Sequence, residues 1–290
     1  MKKNINIFLI FSTLLMINFS LMSLSMAGGY NCTLLLDTNG NVWSFGGGSD
    51  GQLGHGDTVN QLSPKQIDNL TPIVLIAASA HHSLLLDTNG NVWSFGEGSY
   101  GKLGHGDTVN QLSPKQIDNL PPIVSIAVGE NHSLLLDANG NVWSFGGGSD
   151  GQLGHGNKEH QLFPKQINNL PKIVSIVVGG FHSLLLDTNG NVWSFGAGFY
   201  GQLGDGTRER LLSPKQIDNL PPIVSIAVGC FHSLLLDTNG NVWSFGEGSY
   251  GQLGHGTSED QLFPKQIDNL PKVGQSTAKR FGATKSARKL

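Results

Sequence analysis

The segment from Asn139 to Gly146 reads NGNVWSFG, and it decides the fold because it occurs five times in the chain. Neighbouring copies are 50 residues apart, without insertion or deletion, and begin at Asn39, Asn89, Asn139, Asn189 and Asn239. A second motif, PKQI, recurs with the same spacing from Pro64 onward. A fixed period of this length indicates a series of equivalent structural units.

Each unit is predicted to contain four short strands. In the third unit, β-branched and apolar residues predict strands over 123–128 and 132–136. Asn139-Gly140 then predicts a tight hairpin, because a type I′ turn needs positive φ at both central residues. A third strand is predicted over 142–145 and a short fourth strand over 164–167, with Pro164 at its start.

The third strand is expected to present two different faces. Its alternation sends Val142 and Ser144 to one side and Trp143 and Phe145 to the other. Sheets of this kind cannot bury both faces alone, but they can do so when stacked around an axis. The sequence therefore predicts an all-β fold, a β-propeller of four-stranded antiparallel blades with five repeats, in which tryptophans and leucine triplets pack between blades.

Two further motifs carry a resemblance to a known family. A glycine-rich run reads GQLGHG from Gly51 and recurs in each unit, with Lys102 for the glutamine in the second and Asp205 for the histidine in the fourth. A strand opening of the form G-x-x-H is found at Gly129–His132 and in the next two units. Together with the tryptophan strand, these motifs resemble the regulator-of-chromosome-condensation repeat over about residues 30–272.

The resemblance implies a propeller, which usually has seven blades in that family. This chain offers five repeats, so closure of the ring within one chain is left open. The first repeat is expected to lack its inner strand, because Gly28-Gly29-Tyr30 follows the predicted signal directly. An open seam with an unpaired edge favours self-association.

The two termini are predicted to lie outside the propeller, which is assigned to residues 28–272. Residues 1–27 form a signal peptide, with Lys2 and Lys3 before a long apolar run and cleavage after Ala27. This places the protein in the periplasm or outside the cell, without stable membrane insertion after cleavage; an uncleaved N-terminal membrane anchor is the alternative. Residues 273–290 are basic and interpreted as a disordered tail, with a frame-shifted remnant or a basic arm as alternatives.

Composition excludes some classes of function. The formal net charge is −3, and it becomes −5 when Lys2 and Lys3 are removed, so the chain lacks the basic face that nucleic-acid binding needs. Its two cysteines, Cys32 and Cys230, do not form a disulfide framework, and whether they are bonded to each other is left open.

The repeated polar residues are interpreted as structural. One histidine per unit at each of two positions is expected to form hydrogen bonds rather than to hold a metal ion, because metal ligands must converge in space. The aspartates before the Asn-Gly turns are expected to bond their own backbone. We therefore predict no catalytic residues, no cofactor and no enzyme activity.

Positions that differ among the units are the candidates for partner binding. They cluster at 57–60, at the pair before the strand histidine, and at the tip of the glycine-rich loop, together with the equivalents of each. Tyrosine, phenylalanine and arginine often anchor protein interfaces. The candidate residues are Tyr100, Lys158, Glu159, Phe181, Phe199, Tyr200, Arg208, Arg210, Phe231 and Tyr250.

The sequence favours an exported scaffold that binds another protein through loops on one propeller face. In this it resembles the secreted propeller inhibitors of β-lactamase. The founding member of the family implies an alternative, a guanine-nucleotide exchange factor for a small GTPase that is delivered as a secreted effector. A degenerate fragment without activity is the third possibility.

Overall fold

The computed structural model describes residues 25–271, which form twenty strands in five separate sheets. Within each sheet the strands follow one another in chain order and pair antiparallel. Each sheet is called a blade below and is numbered in chain order. A single 3₁₀ turn, Ser99–Gly101, is the one helical element within these residues.

Blade 1 contains β1 (Ser25–Gly28), β2 (Cys32–Leu36), β3 (Val42–Gly46) and β4 (Gln61–Gln66). Blade 2 contains β5 (Ile73–Ala78), β6 (His82–Asp87), β7 (Val92–Gly96) and β8 (Gln111–Gln116). Blade 3 contains β9 (Ile123–Val128), β10 (His132–Asp137), β11 (Val142–Gly146) and β12 (Gln161–Gln166). Blade 4 contains β13 (Ile173–Val178), β14 (His182–Asp187), β15 (Val192–Gly196) and β16 (Leu211–Gln216). Blade 5 contains β17 (Ile223–Val228), β18 (His232–Asp237), β19 (Val242–Gly246) and β20 (Gln261–Gln266).

The predicted all-β propeller fold is confirmed, but the fourth strand of each unit starts earlier than predicted. In blade 3 it begins at Gln161, so Pro164 lies inside the strand and not at its start. The register between β11 and β12 shifts between Ser144 and Gly146, which leaves the proline outside the paired positions. A proline is tolerated there because its missing N–H has no ladder bond to form.

The expectation that the first unit lacks its inner strand is wrong. Residues Ser25–Gly28 form β1 and pair with β2, from Ser25 opposite Leu36 to Gly28 opposite Thr33. Backbone pairing supplies the strand although its side chains are small or flexible. The predicted cleavage point after Ala27 therefore lies inside β1.

The other predictions about the termini remain predictions. Most of the proposed signal peptide, residues 1–24, and the basic tail, residues 273–290, lie outside the described part of the chain. Between residues 25 and 271 the protein has no helix with the length and apolar character needed to cross a membrane.

Neighbouring blades pack face to face, and the same contact set recurs four times. Each blade has a forward face, turned toward the next blade, and a rear face, turned toward the preceding one. In blade 2 the forward face presents Leu84, Leu86, Val92 and Ile117, all buried. The rear face of blade 3 covers them with Ile123, Ile126, Leu135 and Phe145. Trp143 packs half-buried against the same cluster, in agreement with the predicted interblade role of the tryptophans.

A buried histidine connects each of three blade pairs. His132 Nε2 lies 3.0 Å from Ser183 Oγ in the next blade, and the Ser183 hydroxyl donates to the carbonyl of Gln152 at 3.2 Å. Because the serine proton is used in that bond, we assign the imidazole proton to Nε2 as the donor to serine. His82 and His182 make the equivalent contacts, so these histidines are part of the interblade packing.

The buried imidazoles should make stability depend on pH. Burial lowers the pKa of His132 and of His182 from 6.5 to about 3, and a neighbouring histidine adds to the shift in each case. In the unfolded chain they take up protons near pH 6.5, so folding stability is full above that value and falls as the pH drops toward 3. Replacing both residues by glutamine, which keeps an N–H donor, should reduce the slope of unfolding free energy against pH by about 2 to 3 kcal/mol per unit. Urea unfolding between pH 4.5 and 7.5 measures it, and an unchanged slope would refute the assignment.

The series of blades has two open ends within residues 25–271. Leu62 on the rear side of blade 1 is 99% exposed, whereas Leu112 at the same position of blade 2 contacts Gly51 of blade 1. On the forward side of blade 5, nothing approaches Gly251, although Gly201 at the same position of blade 4 is covered by Leu262. The four interblade clusters therefore have no fifth counterpart among these residues, and self-association through this seam remains a prediction.

A matched pair of substitutions measures the effect of the open end. Phe95 is completely buried between blades 1 and 2, while Phe45, at the same position of blade 1, is only half-buried. Phe95→Ala should cost about 3 to 5 kcal/mol of unfolding free energy because it leaves a cavity, and Phe45→Ala less than about 1 kcal/mol. Urea denaturation of both variants tests this. Equal losses would mean that another element covers the first blade.

Candidate protein-binding face

The three variable clusters lie at one edge of the blades because of the order of the strands. In an antiparallel four-strand meander, the first and third connections leave the sheet at the same edge, and the second leaves at the opposite edge. The pair before the strand histidine is the first connection, and the glycine-rich loop with its tip and residues 57–60 is the third. All ten candidate residues therefore belong to this edge, called the upper face; the Asn-Gly turns lie on the lower face.

Three of the candidates form an aromatic cluster between blades 4 and 5. The rings of Phe181 and Phe231 stack with centroids 6.1 Å apart and an angle of 15°. The rings of Tyr200 and Phe231 are tilted relative to each other, with centroids 5.2 Å apart. All three residues are half-buried, so each keeps part of its ring open to solvent. The equivalents of the two phenylalanines in the first three blades are Asn31, His81 and Asn131.

The two arginine candidates are held by ion pairs between blades. Arg210 Nε lies 2.7 Å from Asp150 Oδ1, and its guanidinium lies 4.8 Å from the ring centroid of Phe199. Arg208 Nη1 lies 2.9 Å from Asp260 Oδ2 and donates to the carbonyl of Phe199. Both arginines are substantially exposed, so these pairs orient the side chains more than they stabilise the fold.

The remaining candidates are dispersed over the same face. The rings of Tyr100 and of His160 in the next blade have centroids 4.9 Å apart. Tyr100 has a φ of 61°, which is unusual for a bulky residue. Lys158 and Glu159 are exposed on the loop of blade 3. Tyr250 is 89% exposed. The structure thus gathers the candidates on one face and brings only the aromatic cluster and the arginine pairs into mutual contact.

The repeated aspartates bind their own turns, as the sequence predicts. Asp137 accepts hydrogen bonds from the backbone N–H groups of Asn139 and Asn141 at 2.8 and 2.9 Å, from the Asn141 amide, and from Trp143 Nε1 at 3.3 Å. Burial raises the pKa of this carboxyl, but the hydrogen bonds outweigh it and hold the pKa below its usual value. The aspartate therefore stays ionised as part of the hairpin.

The two cysteines are not bonded to each other. Cys32 is buried in blade 1, where its thiol lies 3.6 Å from the carbonyl of Ser79, and Cys230 is exposed in blade 5. The disulfide that the sequence left open is therefore not formed in this structure.

Comparison with known proteins agrees with this architecture. The family model described as the RCC1-like domain matches residues 14–286. The chain belongs to this family. The RCC1-like assignment explains the repeated glycine-rich and tryptophan motifs together.

Solved structures show the same fold in longer chains. Prp20p from Saccharomyces cerevisiae is 25% identical with a TM-score of 0.77, and the match covers 88% of this chain and 70% of Prp20p. Human WBSCR16 is also 25% identical with a TM-score of 0.75, over 82% of this chain and 65% of that protein. Human RCC1 domain-containing protein 1 is 44% identical over 57 residues, which are 19% of this chain and 15% of that protein. This RCC1-like chain thus spans about two thirds of the similar structures and matches only a small part of that curated relative.

One buried ion pair on the upper face of this RCC1-like domain was missed by the sequence analysis. Lys102 replaces the glutamine of the GQLG motif, and its Nζ lies 2.6 Å from Glu97 Oε2. The ammonium also reaches Asn131 Oδ1 at 3.1 Å. Burial raises the pKa of Glu97, but hydrogen bonds from Lys102 and Ser99 bring it below its usual value. The signal was available, since Glu97 and Lys102 both depart from the third unit's Gly147 and Gln152.

Two variants test this ion pair. Lys102→Met leaves the partly buried Glu97 carboxylate without its cation and should cost about 1 to 3 kcal/mol of unfolding free energy. Lys102→Gln combined with Glu97→Gly recreates the residues of blade 3 and should stay within about 1 kcal/mol of the parent. Urea unfolding gives both values. If the single variant costs no more than the double variant, the pair does not stabilise this blade.

Proposed function

We propose that this chain is an exported scaffold that binds another protein through its upper face and catalyses no reaction. The observation that supports this is that the packed interior of the blades repeats while their upper edge varies. Interior residues, hairpin turns and interblade contacts repeat in the five blades, whereas residue types on the upper edge differ from blade to blade. Loops on a rigid frame are a common binding surface, and tyrosine, phenylalanine and arginine are frequent anchors there.

Similar proteins of known structure are consistent with a protein partner. The structure of Prp20p was reported with its binding properties to Gsp1p and histones, and yeast RCC1 (Prp20) was solved bound to Kap60. The chain covers only about two thirds of those proteins, so their partners are not transferred to it. What supports the proposal is the shared class of interaction, a propeller that binds another protein.

Removing exposed rings from the upper face should weaken partner binding. Tyr100→Ala with Tyr250→Ala deletes two exposed aromatic side chains, and we expect at least about a tenfold loss of affinity because such residues dominate interface energies. The partner is captured from an extract with the parent chain and identified, and its affinity for each form is then measured by biolayer interferometry.

The control changes the lower face by the same number of residues. Thr188→Ala with Thr238→Ala alters exposed turn positions, and Ala138 already occupies the equivalent position of blade 3. This control should bind like the parent. If the lower-face variant loses affinity and the upper-face variant does not, the binding face has been assigned to the wrong edge.

A guanine-nucleotide exchange activity is the second candidate, and the likeness to Prp20p, a protein studied for binding Gsp1p, favours testing it. Exchange needs only contact that displaces nucleotide, so it is compatible with a face that has no covalent chemistry. Release of a fluorescent guanine nucleotide from purified small GTPases measures it. Acceleration that depends on Tyr100 and Tyr250 would replace the scaffold proposal with this one.

Export is supported by Lys2 and Lys3, the apolar run and the small residues before Gly28. N-terminal sequencing of the protein recovered outside the cell tests it. A chain that begins at Gly28 fits cleavage after Ala27, and a chain that retains Met1 contradicts it. Cleavage at that point removes three of the four residues of β1, so the processed chain should expose the inner edge of β2.

A further inference from the structure

The aromatic cluster of Phe181, Tyr200 and Phe231 sits on a fixed support formed by three inner loops. The backbone N–H of Glu130 donates to the carbonyl of Gly180 at 3.3 Å, and the N–H of Gly180 donates to the carbonyl of Cys230 at 3.0 Å. These bonds connect the loops of blades 3, 4 and 5. The two stacked phenylalanines directly follow the second and third of these residues, so the rings are held in position before any partner arrives.

The support also brings the sulfur of Cys230 close to Gly180. A Cβ atom at this glycine would lie 2.7 Å from the Cys230 sulfur, so a larger residue would push against the cysteine. The thiol of Cys230 is therefore beside the ring cluster and open to solvent. The reactivity of this thiol should therefore change when a ligand binds at the cluster.

Two acidic residues adjoin the same support, because the N–H of Glu130 donates to the carbonyl of Gly180 and the N–H of Glu247 donates to the carbonyl of Phe231 at 2.9 Å. Burial raises the pKa of the Cys230 thiol, and the negative charges of Glu130 and Glu247 raise it further. Glu247 accepts hydrogen bonds from Ser249 and Gln252, which are neutral. The ammonium of Lys102 donates to the backbone carbonyl of Glu130 at 3.4 Å, but within residues 25–271 neither glutamate carboxylate forms an ion pair. Lys102, Arg208 and Arg210 of the same face are each already paired with another acid.

An aromatic surface beside unpaired carboxylates favours a positively charged ligand. A guanidinium or ammonium group is attracted to the face of an aromatic ring and to carboxylate oxygens at once, and arginine does both with one planar group. The chain uses the same combination internally, where Arg210 contacts the Phe199 ring and Asp150. A neutral apolar group would cover the rings but would bring no positive charge. Both carboxylates would then lose part of their hydration without gaining a partner.

We propose that the cluster of Phe181, Tyr200 and Phe231, with Glu130 and Glu247, receives an arginine or lysine side chain from a basic segment of the partner protein. The inference rests on the proposed function and names the partner's chemistry: a basic segment whose cation binds at the inner loops of blades 3, 4 and 5. The net negative charge of the chain favours the approach of such a segment.

The first experiment measures binding of an acetylated, amidated hexa-arginine peptide to the full chain by calorimetry at about 0.15 M salt. Glu130→Gln with Glu247→Gln, and separately Phe231→Ala, should each weaken binding at least about tenfold. The matched control is Asp118→Asn with Asp218→Asn, which removes the same charge from exposed positions elsewhere; Asn168 occupies the equivalent position of blade 3. The control should change affinity less than about twofold. Equal weakening in the control would show diffuse attraction and overturn the proposal.

The second experiment uses Cys230, because Cys32 is buried. The pH dependence of alkylation by iodoacetamide gives the pKa of the exposed thiol, with a Cys230→Ser chain as the blank. Saturating hexa-arginine should lower this pKa, since a bound cation offsets the two carboxylates, and the double glutamine variant should start from a lower value. A pKa that the peptide leaves unchanged would place the peptide elsewhere and overturn the proposal.

Other occupants give different results. If acetyl-phenylalanine amide binds as well as the basic peptide, the cluster takes an apolar group and the proposal falls. If light scattering shows a dimer that Phe231→Ala abolishes, a second copy of the chain is the occupant and the proposal also falls. If a captured partner binds the upper face with unchanged affinity for the double glutamine variant, the scaffold function stands and only the basic-anchor inference is lost.

Discussion

The contact between the forward face of one blade and the rear face of the next is the constraint on which the whole structure depends. Each blade is a four-strand sheet with apolar side chains on both sides, so it cannot exist in water as an isolated layer. In the contact between blades 2 and 3, Leu84 and Val92 meet Ile126 and Phe145, and the buried His82 forms a hydrogen bond to Ser133 across the same pair of blades. Any residue at these positions must suit two sheets at once, which explains why the interior repeats almost unchanged.

The upper face is less restricted by this packing, so its residues can vary. The strands, the lower turns and the repeated glycine-rich segment of the third connection carry the packing, so only the variable positions of the first and third connections are free to differ. Residue differences gather there, and the side chains form pairs that link blades, such as Arg210 with Asp150 and Tyr200 with Phe231. Stability therefore depends mainly on residues other than those that we propose to bind the partner. The one clear mixture is Lys102, which is buried like a core residue but ends in a charged contact near the upper loops.

Much of the fold could be predicted because it follows from period and local chemistry. The 50-residue spacing gave the number of units, the Asn-Gly pairs gave the hairpins, and the alternation at Val142 and Trp143 gave the two faces. The strand β1 escaped prediction because backbone pairing with β2 does not require a β-type sequence. Pro164 was misplaced because the register shift that accommodates it is a property of the neighbouring strand.

The candidate face could be predicted only as a set of positions. Comparing the units identified which residues vary, and strand order placed them at one edge. Which of them touch depends on distances between blades that no single repeat encodes, as the stacking of Phe181 on Phe231 shows. The ion pair of Lys102 with Glu97 is within one unit, so a comparison of these two positions with those of the other repeats would have identified it, but this comparison was not made.

The near identity of the blades has a consequence for how the chain folds. Because every forward face fits every rear face, blade 1 can dock on blade 3 or blade 4 with almost the same contacts as on blade 2. The interior side chains therefore do not distinguish one neighbouring blade from another, and apart from the exposed pairs of the upper face the correct order depends on chain connectivity. Closing a loop across one skipped unit costs only slightly more entropy than the native contact, so misordered arrangements are expected as slow-resolving traps when many blades collapse together. Synthesis from the N-terminus, one unit at a time, removes this ambiguity, since each new blade meets a single free forward face.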